Sequence, residues 1–345
     1  MRSIKPVYEV ITEEVASKKI ERIARVCYKS EELIAEGTDK KMICKLLQNN
    51  HLAMLEHASL CFIVSEDIYL DMLEWHNDIR NHMYDHTKDY PMFLRFSNIG
   101  YQYIISGNIT AWITELRVIA FEIGVLPLFF PEIVEDTLQQ DRGTIFDKEY
   151  SGCRKEGDLN EDDLMYEWQE DDVERVTNYE GLSDAERIIH ETFSVLFTSD
   201  RGITHELVRM RRDTSFAQES TRYCDYYKGK SGGDLSIIVP YGFDDWTDEQ
   251  KEVWHGAMQA VEEAYMKLVK SGMKPQMARG VLPQNVKADI VITTTLSEWQ
   301  HIFNLRACDA TGPAHPQMKE VMIPLCKEMQ EKYPFAFGHL QVAEM

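Results

Sequence analysis

The sequence predicts a mixed α+β chain that is interrupted once. Three observations lead there. Apolar residues recur at three- and four-residue spacing in several segments, which is the helical period. Short apolar runs rich in β-branched and aromatic residues stand between them and read as strands. Between about residues 66 and 188 the character of the chain changes.

In chain order, residues 13–28 carry Val15, Ile20, Ile23, Ala24 and Val26 at helical spacing. ASLCFIV at 58–64 reads as a strand. The stretch from 66 to 188 holds aromatic-rich segments, a helix candidate at 111–125 and the acidic tract EGDLNEDDLMYEWQEDDVER. Such charge density predicts a solvated tract, and the whole stretch reads as an insertion or subdomain. ETFSVLF at 191–197 is the next strand, followed by a helix through ITHELVRMRR at 203–212 and a short strand in SIIVP at 236–240. Then comes the clearest helix. Thr247 is a good N-cap and Gln250 completes a capping box. Val253, Ala257, Ala260, Val261, Ala264 and Leu268 supply its apolar face, and Gly272 and Pro275 end it. Helices at 297–306 and 317–333 complete the chain.

Composition narrows the function. The formal net charge is -21 over 345 residues, which argues against a nucleic-acid polymer or an anionic membrane as partner. A small anion remains open, because a few local arginines outweigh distant acids. Cysteines at 27, 44, 61, 153, 224, 308 and 326 form no CxxC pair, and no secretory signal is visible, so reduced thiols and a cytoplasmic setting are expected. No apolar run approaches the roughly 18 residues of a membrane span. P-loop and GxGxxG patterns are both missing from the sequence.

The densest chemical signal is HELVRMRRDTSFAQESTRY at 205–223. Four arginines (209, 211, 212 and 222) accompany hydroxyls at Thr214, Ser215, Ser220 and Thr221. Guanidinium forks and hydroxyls together make an anion nest, although an exposed basic helix end paired with acids would look the same. Arg279 and Arg306 stand in otherwise apolar segments, where an arginine needs an anion or a cleft. His51, Glu56 and His57 lie close together, but their spacing fits no zinc motif, so no metal site is assigned. No cysteine has the context of an activated thiolate.

These residues resemble the flavin-dependent thymidylate synthases. That family carries Arg-His-Arg, seven or eight residues, then Ser, continuing into an Arg-Tyr pair. Here Arg209-Met210-Arg211 is followed by Ser220 and Thr221-Arg222-Tyr223. ARVCY, HLAMLEHASLCF, SDRGITHELV, ARGVLP and WQHIFNLR with GPAHPQM resemble family blocks in family order.

The resemblance implies a fold of helices with antiparallel sheet. It also implies conversion of dUMP to dTMP, with FAD as cofactor and methylenetetrahydrofolate and NADPH as co-substrates. Glu206, Gln218, Ser220, Thr221, Arg222, Arg279 and Arg306 would bind dUMP, with Ser220 and Arg306 nearest the chemistry. His51, Glu56, Arg209, Arg211 and His301 would contact FAD. The sites would lie at subunit interfaces of a homotetramer. Two departures matter: Glu206 stands where the family often has glutamine, and Met210 stands where the signature has histidine. A register anchored on Ser220 would instead put Arg211 at the histidine position. Non-catalytic nucleotide binding, a cysteine-dependent thymidylate synthase and a metal module on His51, Glu56 and His57 are the rival readings.

Overall fold

The computed structural model describes residues 1–49, 51–83, 94–99, 102–112, 173–226 and 235–344. The described elements are β1 (Arg2–Ile4), β2 (Val7–Ile11), α1 (Ala16–Tyr28), α2 (Thr38–Gln48), β3 (Ser59–Val64), α3 (Glu66–Met83), β4 (Arg95–Ser97), β5 (Tyr103–Asn108) and β6 (Val173–Arg175). They continue with α4 (Asp184–His190), β7 (Thr192–Asp200), α5 (Arg201–Leu207), β8 (Ser215–Gln218), β9 (Ser236–Ile238) and α6 (Asp248–Lys270). The last are α7 (Pro275–Ala278), β10 (Lys287–Thr295), α8 (Leu296–Arg306), α9 (Pro316–Lys332) and α10 (Pro334–Phe337). The fold class is α+β with antiparallel sheets, as the sequence predicts; a short parallel pair, β1 with β9, is the one addition among the described strands.

The chain divides into two compact units. The first comprises Met1–Glu14, Arg22–Ile34 and Thr192–Met345, the second Val15–Glu21 and Ala35–Glu191.

The first unit is built on an antiparallel sheet of order β2-β7-β10-β8. Its two long strands pair along their whole length, from Lys287 opposite Asp200 to Thr295 opposite Thr192. Each long strand runs straight into a helix: β7 into α5 at Arg201, β10 into α8 at Leu296. Trp299 on α8 stacks on Phe193 of β7 at 4.7 Å between ring centroids and donates its indole N–H to the Phe193 carbonyl at 3.3 Å. Phe303, Tyr333 and Phe337 extend this aromatic core. Such stacking fixes where α8 lies on the sheet, and so where its C-terminal Arg306 emerges.

The α6 capping box is present: Thr247 accepts from the Gln250 N–H, and the Gln250 side chain accepts from the Thr247 N–H. Gly272, at φ 95°, turns the chain out of the helix. The buried face, however, is rotated from the expected one. Met258, Tyr265 and Val269 are buried, with Trp254, Val261 and Leu268 packed beside them, whereas Val253 is 69% exposed. The core selected the larger side chains at four-, seven- and eleven-residue steps from Trp254 over the alanines at 257, 260 and 264.

The second unit holds the antiparallel sheet β4-β5-β3-β6. The expected strand at 58–64 is β3, and it is central. Cys61, Ile104 and Leu182 form a core cluster, and Phe62 meets Trp112 edge-on at 5.2 Å. His190 is wholly buried between two hydroxyls, each ring nitrogen 2.7 Å from Ser97 or Ser106. Burial, aided by the Arg95 charge, pushes its pKa down to about 3. The segment 66–188, expected as an insertion or subdomain, falls within this unit. Of the helix candidate at 111–125, residues 113–125 lie outside the described residues. So does the acidic tract, except for its last three residues, which form β6 against β3.

Candidate active site

The end of β7 sets the stage. Asp200 caps α5, its carboxylate accepting from the Ile203 N–H at 2.8 Å. Burial raises the Asp200 pKa, while the amides of the first turn pull it back. The helix stops at Leu207, so Arg209, Met210, Arg211 and Arg212 are not helical as expected, but belong to a turn. Met210 is apolar and in helical phase, which made the helix look longer. What turns the chain instead is Asp213 at φ 50°, its carbonyl accepting from Thr294 Oγ1 at 2.7 Å. Thr214 Oγ1 donates to the Arg212 carbonyl at 2.6 Å, and β8 begins. In that turn Met210 is 4% exposed, while Arg209 and Arg211 on either side are exposed.

Two groups of expected site residues come together. Gln218, at the end of β8, donates from Nε2 to Thr204 Oγ1 on α5 at 2.7 Å. On the same helix Glu206 faces Arg306 of α8, with 3.4 Å between Oε2 and Nη1. Arg306 Nε is buried without a partner, a donor left over after the ion pair.

The second group is the turn after β8. The Ser220 N–H donates to the Cys27 carbonyl at 3.1 Å, and the Ser220 carbonyl accepts from Tyr223 and Cys224 at 3.2 and 2.9 Å. Ser220 Oγ accepts from the Arg222 N–H at 3.3 Å. Thr221 is buried, and two guanidinium groups converge on its hydroxyl: Arg201 Nη2 and Arg279 Nη1, each at 3.4 Å. Arg222 donates from Nε to Gln276 at 3.3 Å and lies 5.3 Å from the Tyr223 ring. Arg279 is exposed rather than set among core residues; it is its neighbour Ala278 that is buried.

Arg201 is a residue that sequence reasoning passed over. Its signal was present in SDRGITHELV, an arginine at the first position after a strand. Glu219 was passed over too, although it is the most heavily bonded carboxylate beside the turn. Lys29 Nζ, Lys287 Nζ and Tyr226 OH meet it at 2.8, 3.1 and 2.7 Å. Burial works to raise its pKa, and the two ammonium groups overcome that, so the net shift is downward. Glu298 on α8 is buried, with Oε1 unpartnered. Burial pushes its carboxyl up to about 7, with Arg212 opposing and Asp213 assisting.

The remaining expected residues are His301, His51 and Glu56. His301 is exposed on α8. His51 and Glu56 belong to the second unit, where His51 is exposed and burial pushes the Glu56 carboxyl up to about 7. A cavity of about 470 Å³ in the first unit is lined by Tyr241, Pro313, Ala314, His315, Pro316 and Lys319, four of them from the GPAHPQM block but none expected as a site residue. No group of three or more metal-ligating side chains occurs among the described residues, and none of the described helices is long and apolar enough to cross a membrane.

The cysteines give a chemical restriction. Burial pushes the thiols of Cys27, Cys224 and Cys326 up to about 12, 11 and 12. Thiols so placed stay protonated at neutral pH and are poor nucleophiles.

Comparison with known proteins follows the same line. Residues 158–335, more than half of the chain, match a family model described as thymidylate synthase complementing protein. A flavin-dependent thymidylate synthase of Geobacter sulfurreducens is 36% identical over 109 residues, covering 32% of this chain and 44% of that protein. One from Pyrococcus abyssi is 29% identical over 177 residues, covering 48% of this chain and 69% of that protein. The chain therefore spans under half the length of the first relative and about two thirds of the second. Among solved structures, a UMP/dUMP methylase from Streptomyces cacaoi bound with 5-Br dUMP aligns over 98% of this chain and 96% of its own. At 14% identity and a TM-score of 0.40, that likeness is too loose to describe this fold.

Proposed function

Because the chain belongs to the thymidylate synthase complementing protein family, we propose that it is a flavin-dependent thymidylate synthase. It converts dUMP to dTMP with methylenetetrahydrofolate as carbon donor and NADPH as reductant. The observation that carries the reading is the convergence of Arg201 and Arg279 on Thr221, beside Ser220, in a chain of net charge -21. Local positive charge of that density in an acidic protein suits a small dianion such as a nucleotide phosphate.

In this reading Ser220, Thr221, Arg222 and Arg279 hold the phosphate, with Arg201 behind them. Gln218 and Glu206 line the approach. Arg306 has an unused buried Nε on a planar guanidinium with several donors. It is suited to the pyrimidine, where negative charge develops during carbon transfer. Ser220 orients the nucleotide through its hydroxyl. The high thiol pKa values favour a route that needs no cysteine nucleophile.

The residues present fit a flavin dinucleotide. Arg209 and Arg211 offer exposed guanidinium groups suited to its diphosphate, and His301 an exposed imidazole. His51 and Glu56 are proposed for the same cofactor from the family blocks alone. FAD, when bound, supplies the reducing equivalents. We also propose that the working form is a homotetramer with sites completed at subunit interfaces, that the protein is cytoplasmic, and that residues 66–188 are an insertion in a single catalytic domain.

The test is dTMP formation by the purified chain supplied with FAD, NADPH, dUMP and methylenetetrahydrofolate. Ser220→Ala should weaken dUMP binding while leaving flavin in place. Unchanged dUMP affinity in that variant would remove Ser220 from the site.

A further inference from the structure

We propose that Glu219 is the positioning residue of the nucleotide turn, its buried carboxylate locking the backbone that carries Ser220 and Thr221. The inference rests on the nucleotide reading of that turn given above.

Glu219 is fixed through both side chain and backbone. Its carboxylate is fully buried and receives three donors, from Lys29, Lys287 and Tyr226. Its own N–H donates to the Asp289 carbonyl at 2.8 Å, and its carbonyl accepts from Arg201 Nη1 at 3.3 Å. These contacts join the turn to the end of α1, the start of β10 and the first residue of α5. Lys29 follows α1 at φ 49°, a left-handed conformation that a residue with a side chain rarely adopts. That conformation holds its ammonium 2.8 Å from Glu219 and 4.7 Å from the Tyr226 ring centroid. Lys287 is shared with Asp289, which also accepts from Thr198 at 2.6 Å.

A buried ion cluster of this kind gives little net stability over apolar packing of the same volume, so stability alone does not account for it. What it supplies is a single geometry. One and two residues further on stand Ser220 and Thr221, two of the four residues proposed to hold phosphate, and misplacement by about 1 Å can cost a hundredfold in function.

The alternatives predict opposite signs. Glu219→Gln removes a negative charge, leaving Lys29 without its acid partner and Lys287 with Asp289 alone beside the turn. By charge alone, a dianion would then bind more tightly. By positioning, it binds more weakly.

The experiment compares flavin-loaded wild type, Glu219→Gln, Glu219→Asp and Tyr226→Phe, with FAD absorbance, circular dichroism, dUMP titration and steady-state kinetics. We expect the dUMP KM of Glu219→Gln to rise about tenfold or more, with kcat at saturating dUMP within about twofold and flavin content unchanged. Glu219→Asp should recover part of the loss. Tyr226→Phe, which removes one donor and leaves the charges alone, should show a smaller rise, and it carries the test if Glu219→Gln does not fold. Unchanged or tighter dUMP binding in a folded variant overturns the proposal, as does a loss in kcat alone. If wild type itself does not bind dUMP, the nucleotide reading falls and this inference with it. If wild type binds and the variants match it, only the inference falls.

Discussion

Glu206 on α5 and Arg306 at the end of α8 face each other across 3.4 Å, and neither side chain is more than 27% exposed. The cation proposed to meet the pyrimidine is therefore already engaged by an acid. Glu206→Gln keeps the shape and removes the charge. Because an ion pair that water still reaches is worth up to about 1 kcal/mol, dUMP affinity should rise by roughly two- to fivefold. Titration of the flavin-loaded protein with dUMP measures it; a weaker affinity would mean that Glu206 contacts the nucleotide directly.

Arg306→Ala should leave the fold intact, since the aromatic core of α8 lies elsewhere on the helix, and lower kcat by about 10² to 10³. Circular dichroism and turnover under saturating substrates separate the two effects. A variant that folds and turns over normally would remove Arg306 from the chemistry.

The Met210 position has a structural answer. Its side chain is 4% exposed, so Met210→His puts an imidazole into a buried position. Destabilisation of about 1–3 kcal/mol is expected, with no gain in activity. Met210→Leu, which conserves volume, should cost under about 1.5 kcal/mol. Urea midpoints of the three proteins check this, and a stable, more active histidine variant would contradict it.

Two buried groups predict opposite pH trends. His190 has a folded pKa of about 3 against an ordinary 6.5. The unfolded chain binds the extra proton between those values, so stability falls as pH drops from 6.5 toward 3. At pH 4.5 the loss is about 2–3 kcal/mol relative to neutral pH. Hydrogen exchange of β4 and β5 at pH 7 and 4.5 reads it, and equal protection would contradict it.

Glu298 shifts the other way, from 4.5 to about 7. Its contribution is complete below pH 4.5 and lost as pH rises through 7. Glu298→Gln should lack that part of the alkaline destabilisation. Melting temperatures at pH 5.5 and 8 compare the two proteins, and identical shifts in both would contradict the assignment.

What could be read from the sequence was local. The Thr247–Gln250 cap is set within four residues, and both bonds form. The strand at 58–64 announced itself by composition. The α6 face was misread because period alone does not weigh volume: alanines matched the phase, but Trp254 and Tyr265 fill the core. The helix through 203–212 was read too long because nothing near Met210 reveals that Thr294, far along the chain, donates its hydroxyl to the Asp213 carbonyl of the turn. The same holds for Glu219. Its motif neighbours Ser220 and Arg222 were visible, while its partners Lys29 and Lys287 come from distant segments.

The central claim is tested most directly by the visible spectrum of the purified protein after loading with FAD. A band at roughly 450 nm should bleach when NADPH is added without air and recover on addition of dUMP with methylenetetrahydrofolate. A protein that takes up no FAD, or whose reduced flavin does not respond to both substrates together, would contradict the account.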